Sequence, residues 1–161
     1  MTENKKVKLN IKVLVVCFAA VFIVALIGSL FTSNSVNSQW YESIKPSITP
    51  PNFVFPLVWS ILFFLIALSL YFAWTNCKNR NQKKKVALVF GINFVLNLIW
   101  SLLYFKLHNP LYAFYEIIFL FISILAMIFV CWKIDKKSAY LLIPYLFWVG
   151  FASILNYLSV I

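Results

Sequence analysis

The chain has 161 residues, of which 63% are hydrophobic and only 11% charged, with a formal net charge of +10. An ordinary soluble domain carries about 45–50% apolar and about 25% charged residues, so a water-soluble monomer is excluded. Most of the outer surface must face hydrocarbon, and at this length one domain, residues 1–161, is expected.

Five apolar stretches fill the chain in order: Val13–Phe31, Val54–Trp74, Val86–Phe105, Leu111–Trp132 and Tyr140–Val160. Each is close to the roughly 20 residues a helix needs to cross a hydrocarbon core of about 30 Å. None alternates with period 2, and unpaired backbone amides in lipid are too costly for an open sheet. The expected fold class is all-α, a polytopic bundle of five transmembrane helices. The first stretch follows a basic start and precedes small polar residues, as a signal peptide does. It is longer than the about 7–15 residues of such a core and no small-x-small site follows it, so the helix is expected to be retained.

Lys5, Lys6, Lys8 and Lys12 precede the first stretch, Lys78, Arg80, Lys83, Lys84 and Lys85 follow the second, and Lys133, Lys136 and Lys137 follow the fourth. After five crossings these groups share one face, leaving only Lys45 and Lys106 for the other. The positive-inside rule then puts the N-terminus in the cytoplasm and the C-terminus outside, in the plasma membrane. Contact with anionic lipid accounts for the basic clusters, so no nucleic-acid partner is called for.

The longest outer loop, residues 32–53, holds Pro46, Pro50 and Pro51 and is expected to be a stiff, partly extended cover. Pro56 and Pro110 sit in first helical turns, where a missing N–H costs little. Pro144 falls about one turn into the fifth stretch and should loosen or kink it. Cys17, Cys77 and Cys131 have no metal-ligand spacing, and neither a metal nor a cofactor is expected.

Polar side chains within a span mark the inside of a bundle. On the third span Asn93, Asn97, Trp100 and Tyr104 recur at i, i+4, i+7 and i+11. Tyr145, Trp148, Ala152 and Asn156 share a face of the fifth, and Trp59 and Phe63 lie a turn apart on the second. Together these faces would enclose an aromatic cavity; the alternative is that the amides bond across helices and the aromatics simply pack. Glu116, the one acidic residue within a span, with Tyr112, Phe119 and Ser123 on its face, should reach interfacial water or a tyrosine. His108, in the short third loop, should be solvated. No nucleophile–base pair or phosphate-binding loop is present, so conventional catalysis has little basis.

Trp40-Tyr41, Lys45-Pro46, Pro50-Pro51, Val54-Phe55 and Trp59 resemble the Trp-Tyr, Lys-Pro, Pro-Pro, Phe and Trp signature of the TspO/translocator protein family, also called tryptophan-rich sensory proteins or peripheral-type benzodiazepine receptors. Leu96-Asn97, Trp100 and Tyr104-Phe105 are similar to that family's third-helix pattern, and Pro144-Tyr145, Trp148, Ala152 and Leu155-Asn156 to its fifth. The resemblance implies a five-helix bundle, often dimeric, with a cavity beneath the first outer loop. That cavity would bind tetrapyrroles such as protoporphyrin IX and haem, isoquinoline or benzodiazepine ligands and, in some members, sterols.

The ligand-binding residues so implied are Tyr41, Trp59, Phe63, Asn97, Trp100, Trp148 and Ala152. Trp59 and Trp148 occupy the positions linked in bacterial relatives to light-dependent porphyrin breakdown. Three departures stand out: only Glu42, Ser43 and Ile44 separate Trp-Tyr from Lys-Pro where four residues are usual, Ile48 replaces a common aromatic, and no basic residue follows Tyr157. The last makes sterol the least supported ligand. Propionates would meet Lys45, Lys106 and His108, the cations of the outer face. The leading expectation is a receptor, sensor or carrier of tetrapyrroles. The alternatives are a slow photo-oxidative enzyme using Trp59 and Trp148, and a structural scaffold. Gly91, Gly150 and Ser153 permit close helix contacts, but no GxxxG is present, so the sequence leaves open whether the protein is a homodimer.

Overall fold

Helix starts in this chain are written in short polar side chains. In the computed structural model, which describes residues 9–161, Asn10, Ser38, Asn79, Asn109 and Asp135 each accept a hydrogen bond from a backbone N–H of the turn that follows. The helices they open, with two that start without a side-chain cap, are α1 (Ile11–Thr32), α2 (Gln39–Ile44), α3 (Val54–Asn76), α4 (Arg80–Ser101), α5 (Pro110–Trp132), α6 (Lys136–Leu141) and α7 (Ile143–Leu158). No strand occurs among the described residues. Among the described residues five helical segments are long and apolar enough to cross a membrane, and the architecture is an all-α bundle of five spans.

Two spans are not simple α-helices. α4 continues without a gap into a π-turn, Leu102–Lys106, closed by Leu107 N–H donating to Leu102 O at 2.9 Å. The fifth span breaks at Leu142 into α6 and α7, as the missing N–H of Pro144 in the first turn of α7 requires. The cover, residues 33–53, is less extended than its prolines suggest, because Ser38 caps the short helix α2 within it.

The core lies where α3, α4, α5 and α7 meet, with Tyr145, Phe90, Ile66, Ile117 and Leu120 under 2% exposed. At the end opposite the cover, Ser69 of α3 and Ser138 of α6 each donate a side-chain hydrogen bond to the other's carbonyl, at 2.9 and 2.7 Å. This doubled contact lets the two backbones approach closely. α1 is peripheral and packs its first half on α3, through the edge-on Phe18–Phe64 pair and Asn10 N–H donating to Tyr71 Oη at 3.0 Å.

Basic residues gather at the α6 end of the bundle, where Lys83, Lys133 and Lys136 lie over the rings of Trp74, Phe129 and Trp132. Apolar stem below and ammonium at the level of aromatic rings is the arrangement expected at a membrane interface. Lys5, Lys6 and Lys8 of the first basic group lie outside the described residues.

Candidate functional site

The π-turn sets the site. It carries Tyr104 and Phe105, both buried, at 5% and 7% exposure. Trp100 stacks on Tyr104 with centroids 5.5 Å apart and meets Phe105 edge-on at 5.8 Å. α2 then docks on this cluster from outside. Trp40 lies edge-on to Tyr104 and stacks on His108 at 4.1 Å, and Tyr41 sits against Phe105 at 5.9 Å. Ser35 Oγ donates to Phe105 O at 2.9 Å, and Asn52 Nδ2 donates to Val36 O and Asn37 Oδ1, both at 3.2 Å. The cover is thus pinned to itself and to the π-turn.

Beneath it lies a cavity of about 820 Å³. Its α3 wall presents Trp59 and Phe63, rings 5.4 Å apart. The α4 wall presents Asn97, Trp100 and Ser101, followed by Phe105 of the π-turn, and Tyr41, Asn52 and Phe53 form part of the roof. The remaining wall is α1, with Val21, Ala25, Gly28 and Ser29. Nothing in its sequence points there, because α1 is apolar on every side and so marks no inward face.

Of the residues singled out from sequence, Tyr41, Trp59, Phe63, Asn97 and Trp100 come together on this one cavity. Trp148 and Ala152 are not among its lining residues. Trp148 packs edge-on against Phe55 at 5.9 Å, its Nε1 buried and without a hydrogen-bond partner. Ala152 lines a pocket of about 30 Å³ under the cover, with Pro46, Trp100 and Asn156. Lys45, Lys106 and His108 are not on the cavity either. Lys45 is paired with Glu42 at 2.6 Å, Lys106 is exposed, and the exposed His108 holds the left-handed conformation, φ 50°, that follows the π-turn.

The polar stripe of α4 does two jobs. Asn97 Nδ2 donates to Tyr145 Oη at 3.2 Å, Tyr145 Oη donates to Asn93 Oδ1 at 3.3 Å, and Asn93 Nδ2 donates to Ser123 Oγ at 2.8 Å, which ties α4 to α5 and α7. Trp100 Nε1 donates to Asn156 Oδ1 at 3.0 Å, and Asn156 Nδ2 to Pro110 O at 2.8 Å. The amides therefore bond across helices while Asn97 also faces the cavity. Glu116 neither reaches water nor pairs with a tyrosine: it is 8% exposed and both carboxyl oxygens lack hydrogen-bond partners. Its face, with Ala113 and Leu120, turns into the bundle, whereas Tyr112 and Phe119 face outward.

The Tyr41 phenol in the cover is pushed up to about 12, chiefly by burial, then by Tyr104 and Glu42. A released Tyr41 ionises near 10.0, so docking of α2 is favoured by the neutral phenol. That contribution is full below about pH 10 and is lost as pH rises toward about 12. In an alkaline titration, indole emission should change over this window in the wild type beyond what Tyr41→Phe shows. Identical curves for the two proteins would contradict this.

A profile of the TspO/MBR family matches residues 15–160. The tryptophan-rich protein TspO of Archaeoglobus fulgidus is 40% identical over 150 residues, covering 92% of this chain and 95% of that protein. The TspO of Chlorobaculum tepidum is 33% identical, covering 92% and 94%. Protein CrtK of Rhodobacter capsulatus is 28% identical, covering 92% and 91%. The matched region holds all of the cavity's walls and the cover above it, and on these grounds the chain is a multi-pass membrane protein that belongs to the TspO/MBR family.

Proposed function

We propose that this protein is a membrane receptor, sensor or carrier that takes a flat, apolar ring compound of the tetrapyrrole type into the cavity beneath its cover. The observation that carries the reading is the convergence of Trp59, Phe63, Trp100 and Phe105 on one space of about 820 Å³, with the Asn97 amide and Tyr41 phenol among them. Ligand sites are typically about 300–1,000 Å³, mostly apolar, with a few placed polar groups. Indole and phenyl faces suit a macrocycle, and Asn97 supplies orientation. The basic end lies in the cytoplasm, as the positive-inside rule directs.

Fluorescence titration with protoporphyrin IX tests this. Stacking and burial against one indole are worth about 1–2 kcal/mol, so Trp59→Ala should raise the Kd roughly fivefold to thirtyfold. Trp148→Phe should change it less than about threefold, because that indole packs against Phe55 and is not among the cavity's lining residues. Absence of saturable binding would end the proposal, and equal losses in the two variants would put the ring elsewhere. Photo-oxidative breakdown of the bound ring is a second reading, favoured by the Trp59 and Trp100 indoles in the wall. It requires product under illumination that Trp59→Phe abolishes while binding persists.

A further inference from the structure

The walls of the cavity are unequally sealed. On α4 and the π-turn the lining side chains are closed off from the outside: Asn97, Trp100, Ser101 and Phe105 are 5–9% exposed. The lining residues of α1 and α3 include two rows that also form the outer surface. Phe22, Leu26 and Ser29 recur at i, i+4 and i+7 on α1. Phe53, the residue before α3, and Pro56, Ser60 and Phe64 on it recur at i, i+3, i+7 and i+11. A side chain that lines a cavity and is more than half exposed, as Phe22, Leu26, Phe53 and Phe64 are, stands at its rim.

The rim faces hydrocarbon. Phe22 lies ten residues from the cover end of α1 and Phe64 ten from the cover end of α3, or about 15 Å down each helix, near the middle of a core of roughly 30 Å. At that level the Phe18–Phe64 contact closes the seam. The hydroxyls on the rim are already satisfied, Ser29 Oγ donating to Leu26 O and Ser60 Oγ to Pro56 O, each at 2.7 Å. An apolar molecule passing between them strips no unpaired polar group. A route from water would instead have to part the cover, with its bonds from Ser35 and Asn52.

We propose that the cavity loads and empties sideways, through a mouth between α1 and α3 in the cover-side half of the bilayer, and that it accepts ring compounds already dissolved in lipid. This rests on the ligand-binding reading for its cargo but not for its geometry, and the test separates the two.

In vesicles, with Cys17, Cys77 and Cys131 changed to alanine, Ser101→Cys places a thiol on the α4 wall of the cavity. Pyrene maleimide, which partitions into lipid, should label it at least tenfold faster than an anionic, membrane-impermeant methanethiosulfonate. Adding Ser60→Trp at the rim should slow pyrene labelling at least tenfold. In protein with its native cysteines, Ser60→Trp should slow both association and dissociation of protoporphyrin IX at least tenfold, the mark of a raised barrier. The mouth is overturned if the anionic reagent labels as fast, if Ser60→Trp leaves labelling unchanged, or if that variant alters only one of the two porphyrin rates. Labelling through the mouth without any porphyrin binding would leave it standing and remove the proposed ligand instead.

Discussion

Tyr145→Ala is expected to lower the unfolding free energy by about 3–5 kcal/mol, the cost of emptying a large buried aromatic site. Tyr145 is 0% exposed, meets Trp59 edge-on at 6.1 Å, and its hydroxyl joins Asn93 to Asn97. The loss would fall on packing more than on polarity. Hydrogen bonds between membrane helices average only about 0.6 kcal/mol, so Tyr145→Phe should cost about 1 kcal/mol. Thermal unfolding in detergent, followed with a thiol-reactive dye that reports exposure of the buried Cys17 and Cys131, would compare the three proteins. Equal losses for alanine and phenylalanine would mean that the ring itself is not what holds α7 in place.

The second large effect is expected at Trp100, which with Tyr41, Phe55 and Phe105 lines both the main cavity and the small one beside Ala152. Trp100→Ala opens the wall common to the two spaces, removes the ring on which Tyr104 stacks, and leaves Asn156 Oδ1 without its donor. The cost should again be about 3–5 kcal/mol, and protoporphyrin IX affinity should fall at least tenfold because the wall opens. Trp100→Phe should recover most of the stability, since it refills part of the space. A loss under about 1 kcal/mol for the alanine variant would show that the aromatic cluster is not what supports the cover.

Hydropathy alone located the five spans to within a few residues at most ends, because the bilayer fixes their length and solvent. The third span was the exception: α4 begins at Arg80, six residues before its apolar run, since lysines and arginines extend a helix into the interface as readily as apolar residues extend it into lipid. The break in the fifth span was legible in Pro144. Within the candidate site, Trp59, Phe63, Asn97 and Trp100 could be read because polar or aromatic side chains recur at helical spacing on otherwise apolar helices. α1 could not, having no such mark. Spacing places Trp148 on the same face of α7 as Tyr145 but does not tell that it packs against Phe55 and is not among the cavity's lining residues, because a contact from another helix leaves no trace in periodicity. Phe105 carries no such mark, because a 3.6-residue period turns it away from Trp100.

A π-turn is equivalent to one residue inserted into a regular helix, and everything after it is rotated by about 100° relative to what precedes. Trp40 and Tyr41 dock onto Tyr104 and Phe105 within the turn and His108 beyond it, so the roof is keyed to the phase shift itself while Asn97 and Trp100 stand before it. Losing a single amino acid between Leu102 and Lys106 would leave the third crossing intact as a rod, yet swing the docking surface out from under the roof.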